Sequence, residues 1–189
     1  MFTPATSKAA LNFPELSVAI TTAEILADVD ISGLDAVYLG QPYCLKIKGN
    51  LLIDLSGLSD AIKKLNSAGK RAYLTTPIVP KNTDFSKIKA AVECGIKAGI
   101  KGVEVHDVGL FRMVKNEYPG LPIHMSSLAN IYQPETAAYY RDQGVARIVP
   151  ANELLDTEMK IIKDAVDKVE FSIPIYGRLP LGMSYACML

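Results

Sequence analysis

Cysteine is scarce in this sequence: there are 3 in 189 residues, at Cys44, Cys94 and Cys187. Spacing that wide excludes a disulfide framework and suits a reducing cytosol. Neither sign of charge is in surplus, since 20 Lys and Arg stand against 20 Asp and Glu. Without a basic excess to neutralise a phosphate backbone, general nucleic-acid binding is disfavoured, although a local basic groove stays open. No apolar run approaches the roughly 18 residues of a membrane span. The opening MFTPATSKAALNFPEL lacks an apolar core of signal-peptide length. The chain therefore reads as a soluble, cytoplasmic protein.

Catalytic signatures are missing as well. The sequence holds no HExxH, no CxxC, no P-loop and no GxSxG elbow around a serine. Zinc-dependent and serine-type hydrolases thus have no visible machinery. No glycine-rich phosphate turn follows the first strand, which removes the dinucleotide-binding fingerprint.

What the sequence does have is a regular alternation. Nearly half of it is apolar, at 49%, and 21% is charged, enough to bury a core. Strands are expected at Leu16–Thr22, Asp35–Gly40, Arg71–Thr76, Gly102–His106, Leu121–Ser126, Ala146–Pro150 and Val169–Tyr176. Between them lie helices over Ala23–Val29, Asp60–Ala68, from Thr83 or Asp84 to Gly99, Gly109–Tyr118, Pro134–Gln143 and Thr157–Val166, the last capped by Asp156. In the last strand Val169, Phe171, Ile173 and Ile175 alternate with Glu170, Ser172 and Pro174, the period of a half-buried strand. Strand and helix alternating with short loops require parallel strands and right-handed crossovers. The expected fold is α/β: a single domain over residues 1–189, an incomplete parallel (β/α) TIM-type barrel of about seven βα units. An open doubly wound sheet is the alternative.

Chemistry in such a barrel sits at the carboxyl ends of the strands. That selects Cys44, Thr75, Thr76, His106, Asp107, His124, Ser126, Ser127, Asn152, Arg178, Ser184 and Cys187. His106, His124 and Arg178 are expected to face a polar pocket at that rim, with the arginine able to fork two hydrogen bonds onto an anionic group. A hydrogen-bonded structural histidine accounts for either His equally well. Asp107 also fits a helix cap, and Cys94, in mid-helix, fits a small packing residue. Cys44 and Cys187 fall in rim loops after strands two and seven, neighbours around a closing barrel. Two thiolates there fit a soft metal site or two free thiols.

Val37–Tyr38–Leu39–Gly40 followed by Cys44, with Tyr176–Gly177–Arg178–Leu179–Pro180–Leu181, Ser184 and Cys187, resembles the UbiV branch of the collagenase-like peptidase family U32. Gly144–Leu154 is similar to the wider family. The sister UbiU branch has an extra cysteine just before the serine, and Leu179–Gly182 has none. The resemblance implies an iron–sulfur protein with a [4Fe–4S] cluster, acting with a UbiU-like partner. Its role would be oxygen-independent hydroxylation of a small prenylated aromatic ring in ubiquinone biosynthesis. Cys44 and Cys187 match two of the four cluster cysteines, and the other two are expected beyond Leu189, so the chain reads as truncated. A [4Fe–4S] cluster normally takes four thiolates, so this chain alone is expected to carry none. Unpaired edges on strands one and seven would then invite self-association. The alternatives within the family are an RNA-base hydroxylating enzyme and a collagenase-like protease. A partner-binding subunit without catalytic residues is a further one.

Overall fold

The computed structural model describes residues 14–40, 54–78 and 80–177. Contacts divide the chain into two compact units, Met1–Ile123 and His124–Leu189.

The first unit contains β1 (Ser17–Ile20), α1 (Ala23–Asp28), β2 (Ala36–Gly40), α2 (Leu55–Ser67), β3 (Arg71–Thr75), α3 (Phe85–Ala98), β4 (Gly102–Val105) and α4 (Val108–Glu117). All three of its ladders are parallel: β1 on β2, β2 on β3 and β3 on β4. Strand side chains alternate between faces. One face therefore carries Val37, Leu39, Ala72, Leu74, Val103 and Val105, every one fully buried. Burial on that scale contributes roughly 1.5–3 kcal/mol for each large aliphatic side chain. The opposite face carries Ala36, Tyr38 and Tyr73, which form one buried cluster, and then Thr75 and Glu104, paired in register.

The ends of the helices follow local chemistry. The Thr22 hydroxyl accepts from the Ile25 N–H at 3.3 Å and opens α1. Asp107 opens α4 by accepting from the Leu110 N–H at 2.9 Å, which is the capping role its position suggested. Gly99, with φ of 95°, closes α3 in the left-handed region that glycine enters without strain. Helix α2 begins earlier than the sequence indicates. Asp54 caps it by accepting from the Gly57 N–H at 3.0 Å, so Asp60 lies inside the helix. Ser56, Gly57 and Ser59 are weak helix formers, and the complete burial of Leu58 outweighs them.

The second unit contains β5 (Ile123–Met125) from His124 onward, α5 (Pro134–Asp142), β6 (Arg147–Ile148), α6 (Asp156–Ala165) and β7 (Glu170–Phe171). Its ladders, β5 on β6 and β6 on β7, are also parallel. Helix α6 takes Asp156 as its first residue rather than as its cap; the Glu158 carboxylate accepts from the Leu155 N–H at 2.8 Å instead. Strand β7 is much shorter than the expected Val169–Tyr176. A strand needs a partner ladder, and β6 offers two residues before Pro150, which has no N–H to donate. Beyond β7 the side chains of Ile173, Ile175 and Tyr176 are 53%, 80% and 99% exposed.

Seven parallel strands alternating with helices make this the α/β series of an incomplete TIM-type barrel, as the alternation in the sequence indicates. Among the described residues no helix is long and apolar enough to cross a membrane.

Candidate functional site

In the first unit, polar side chains gather where β3 and β4 end. Thr75 and Glu104 are register partners, and the Thr75 hydroxyl donates to a Glu104 carboxylate oxygen at 2.9 Å. The next residue along, Thr76, reaches the same strand through its main chain. Its N–H and its hydroxyl both donate to the Glu104 carbonyl, at 3.0 and 2.9 Å. Two residues past Glu104, His106 is buried and hydrogen-bonded with the Thr76 backbone. Burial strips water from its imidazolium and pushes its pKa from 6.5 down to about 4, with the Thr76 bond opposing weakly. At neutral pH this histidine is uncharged.

On the same face, Tyr38 and Tyr73 stack at 4.8 Å between ring centroids with planes tilted by 37°. The Tyr73 hydroxyl donates to Glu15 at 3.3 Å, and Arg71 forms an ion pair with the same carboxylate oxygen. This face therefore has a buried aromatic floor and a hydrogen-bonding end.

The second unit pairs a buried arginine with an exposed glutamate. Arg147, 4% exposed at the start of β6, donates from Nε and Nη2 to one oxygen of Glu170 at 2.9 and 2.6 Å. His124, also buried, is the register partner of Arg147 on β5. The Ser126 hydroxyl accepts from the Leu128 N–H at 3.1 Å and caps the short turn at Ser127–Ala129.

Of the residues singled out from sequence, His106 belongs to the first unit and His124 to the second. Cys44, Arg178 and Cys187 lie outside the described residues, as does Ser184. Cys94 sits on α3, and its thiol donates to the Leu55 carbonyl of α2 at 3.2 Å, a packing role. Among the described residues no group of three or more His, Cys, Asp or Glu is placed to hold a metal ion. They do not supply a cluster's ligand set.

Sequence reasoning passed over Glu104 and the Arg147–Glu170 pair. The available signal was a charged residue inside an otherwise apolar strand, as in GVEVH and ARIVP. Charged residues are depleted in strand interiors unless paired.

Comparison with known proteins adds a family. The model of peptidase family U32 matches residues 22–189. The chain is 28% identical over 93% of its length to tRNA hydroxylation protein P of Escherichia coli K12, spanning 39% of that protein. It is 23% identical over 93% of its length to tRNA hydroxylation protein P1 of Bacillus subtilis 168, spanning 42% of it. Over 93% of its length it is 24% identical to the 23S rRNA 5-hydroxycytidine C2501 synthase of E. coli K12, spanning 26% of that protein. Among solved structures, the U32 peptidase Mk0906 superposes with a TM-score of 0.68 at 16% identity, covering 90% of this chain and 72% of that one. The putative copper homeostasis protein CutC of Streptococcus agalactiae gives 0.62 at 14% identity, covering 85% and 87%. At such identity these two structures speak for the fold alone.

Proposed function

Because this chain belongs to peptidase family U32, we propose that it is part of a protein that hydroxylates an aromatic ring, with a base of tRNA or rRNA as the target. The observation that carries the reading is the run of curated relatives named for tRNA or rRNA hydroxylation, each matched over most of this chain. The chain spans about two fifths or less of those three relatives, so the activity is proposed for the whole protein that contains it.

A second reading rests on the segment from Tyr176 to Cys187, whose spacing resembles the UbiV branch. In that reading the ring is a prenylated ubiquinone precursor and the partner a UbiU-like subunit. The cofactor proposed with either reading is a [4Fe–4S] cluster, with Cys44 and Cys187 supplying two thiolates. Single Cys44→Ala and Cys187→Ala variants of the whole protein, reconstituted without oxygen, should lose the four-iron optical and EPR signals.

The deciding experiment deletes the gene and grows cells without oxygen. Mass spectrometry then compares RNA nucleosides and quinone precursors. Loss of a hydroxylated nucleoside, restored by the intact gene, is the expected result. Unchanged nucleosides with accumulation of an unhydroxylated quinone precursor would establish the second reading instead. Digestion of casein or collagen by the purified protein would point to a peptidase.

A further inference from the structure

We propose that Tyr132 and Asn152 form a platform for an unpaired RNA base at the carboxyl rim of the second unit. Tyr132 stacks on the base and the Asn152 amide bonds its edge. This rests on the reading of the protein as an RNA-base hydroxylase and names residues that hold the strand.

Charge sets the manner of binding. With 20 basic against 20 acidic side chains, the chain has no surplus to draw a phosphate backbone. An RNA strand that meets it is held through bases more than through phosphates. Aromatic side chains standing exposed bind single strands in that way, because every base has a face to stack.

The carboxyl end of β5 presents such a side chain. The chain there turns through Ser127–Ala129, and the Ser126 carbonyl accepts from the Ala129 N–H at 3.0 Å. Asn130 takes left-handed angles, φ 57° and ψ 47°, which asparagine tolerates better than most residues. Ile131 is fully buried, and its carbonyl accepts from the Ala151 N–H at 3.2 Å. The next residue, Tyr132, is 46% exposed. Two residues later Pro134 opens α5 with its backbone angle already fixed. An aromatic ring offered from a backbone pinned on both sides loses little freedom when a base stacks on it.

The Ile131–Ala151 hydrogen bond also draws in the loop after β6. Ala151 is buried and Asn152 follows it, half-buried. Among the described residues the Asn152 Oδ1 has no hydrogen-bond donor, although it is shielded from water. An amide oxygen in that state is costly, so the side chain gains by turning to a partner that brings N–H groups. An asparagine amide has acceptor and donors together, as does the edge of a base. Unpaired RNA bases are recognised by aromatic stacking combined with hydrogen bonds to their edges. Both residues lie in loops that follow parallel strands at their carboxyl ends, where this fold places its chemistry.

The test is fluorescence anisotropy of a short labelled RNA with the full chain, first single-stranded and then paired with its complement. The duplex should bind at least about tenfold more weakly, because paired bases offer no free face. Tyr132→Ala should weaken single-strand binding about tenfold, within the range of one stacked base. Tyr132→Phe keeps the ring and should bind as the native chain does. Asn152→Ala should weaken binding several-fold. Tyr139→Ala, which removes a tyrosine 51% exposed in mid-helix and packed on Tyr140, should change nothing. Raising salt fourfold should cost less than about tenfold in affinity, against roughly a thousandfold or more where many phosphates are held. Circular dichroism confirms that each variant is folded, and the Tyr132 pair decides the question if Asn152→Ala is not. Equal binding of strand and duplex, no binding of the strand, or native affinity in Tyr132→Ala would overturn the proposal. So would native affinity in a folded Asn152→Ala. The two levels separate in cells. Hydroxylated nucleosides lost on gene deletion but fully restored by the Tyr132→Ala gene refute the platform and leave the function standing. Strand binding that depends on Tyr132, with no nucleoside changed on gene deletion, refutes the function and leaves the platform.

Discussion

Acid should weaken the first unit through one side chain, His106. Its pKa lies near 6.5 when exposed and about 4 in the fold, because burial disfavours the imidazolium. Between those two values the unfolded chain binds a proton that the folded chain does not. Stability therefore rises with pH across that window and is lost as pH falls from about 6.5 toward 4. From pH 7 to pH 5 the loss through this group is about 2 kcal/mol, approaching a slope of about 1.4 kcal/mol per pH unit near pH 5. Carboxylates titrate over part of the same range, so the measurement is a difference. Urea denaturation of the native chain and of His106→Gln, each followed from pH 7 to pH 4.5, isolates the term. The native chain should lose about 2 kcal/mol more than the variant by pH 5. Parallel pH profiles for the two proteins would show that His106 is not held neutral by burial.

Three further outcomes follow from geometry already described. Asp107→Ala removes the carboxylate that accepts from the Leu110 N–H and should cost about 1 kcal/mol by urea denaturation; no change would mean that α4 is fixed by packing alone. Gly99→Ala puts a side chain at a φ of 95°, with its Cβ 3.1 Å from the Asn66 amide nitrogen. It should cost roughly 1–2 kcal/mol and lower the melting temperature by several degrees. Glu170→Ala should destabilise more than Arg147→Met, because it leaves a buried guanidinium without its carboxylate whereas the methionine brings no charge; the reverse order in thermal melts would contradict this.

The fold was legible because its signals are local and repeated. Thr22, Asp107, Pro134 and Gly99 mark helix ends where the structure has them. Boundaries failed where a distant partner decides. Leu58 is drawn into the core and extends α2 through Ser56 and Gly57, and β7 stops because β6 does. His106 was selected for its place at the end of the fourth strand and directly follows β4, whereas His124, selected on the same ground, lies within β5. Glu104 was not selected, because a single sequence cannot say which face of GVEVH meets the Thr75 hydroxyl; that depends on the register between β3 and β4. Arg147 was missed for the same reason, since its partner Glu170 lies 23 residues further along.

The Arg147–Glu170 pair also has a bearing on how the second unit assembles. Strands β6 and β7 are two residues each, too short for ladder hydrogen bonds alone to choose one alignment over the next. Sliding β6 by one residue would turn Arg147 toward the side shared by Met125 and Phe171, and would set Ile148 against His124 and Glu170. A guanidinium placed among apolar side chains without its carboxylate costs several kcal/mol, more than two ladder hydrogen bonds return at about 1 kcal/mol each. The arginine thus penalises every odd-numbered slip. A charge that looks misplaced in an apolar strand acts as the alignment key for the shortest strands of the described chain.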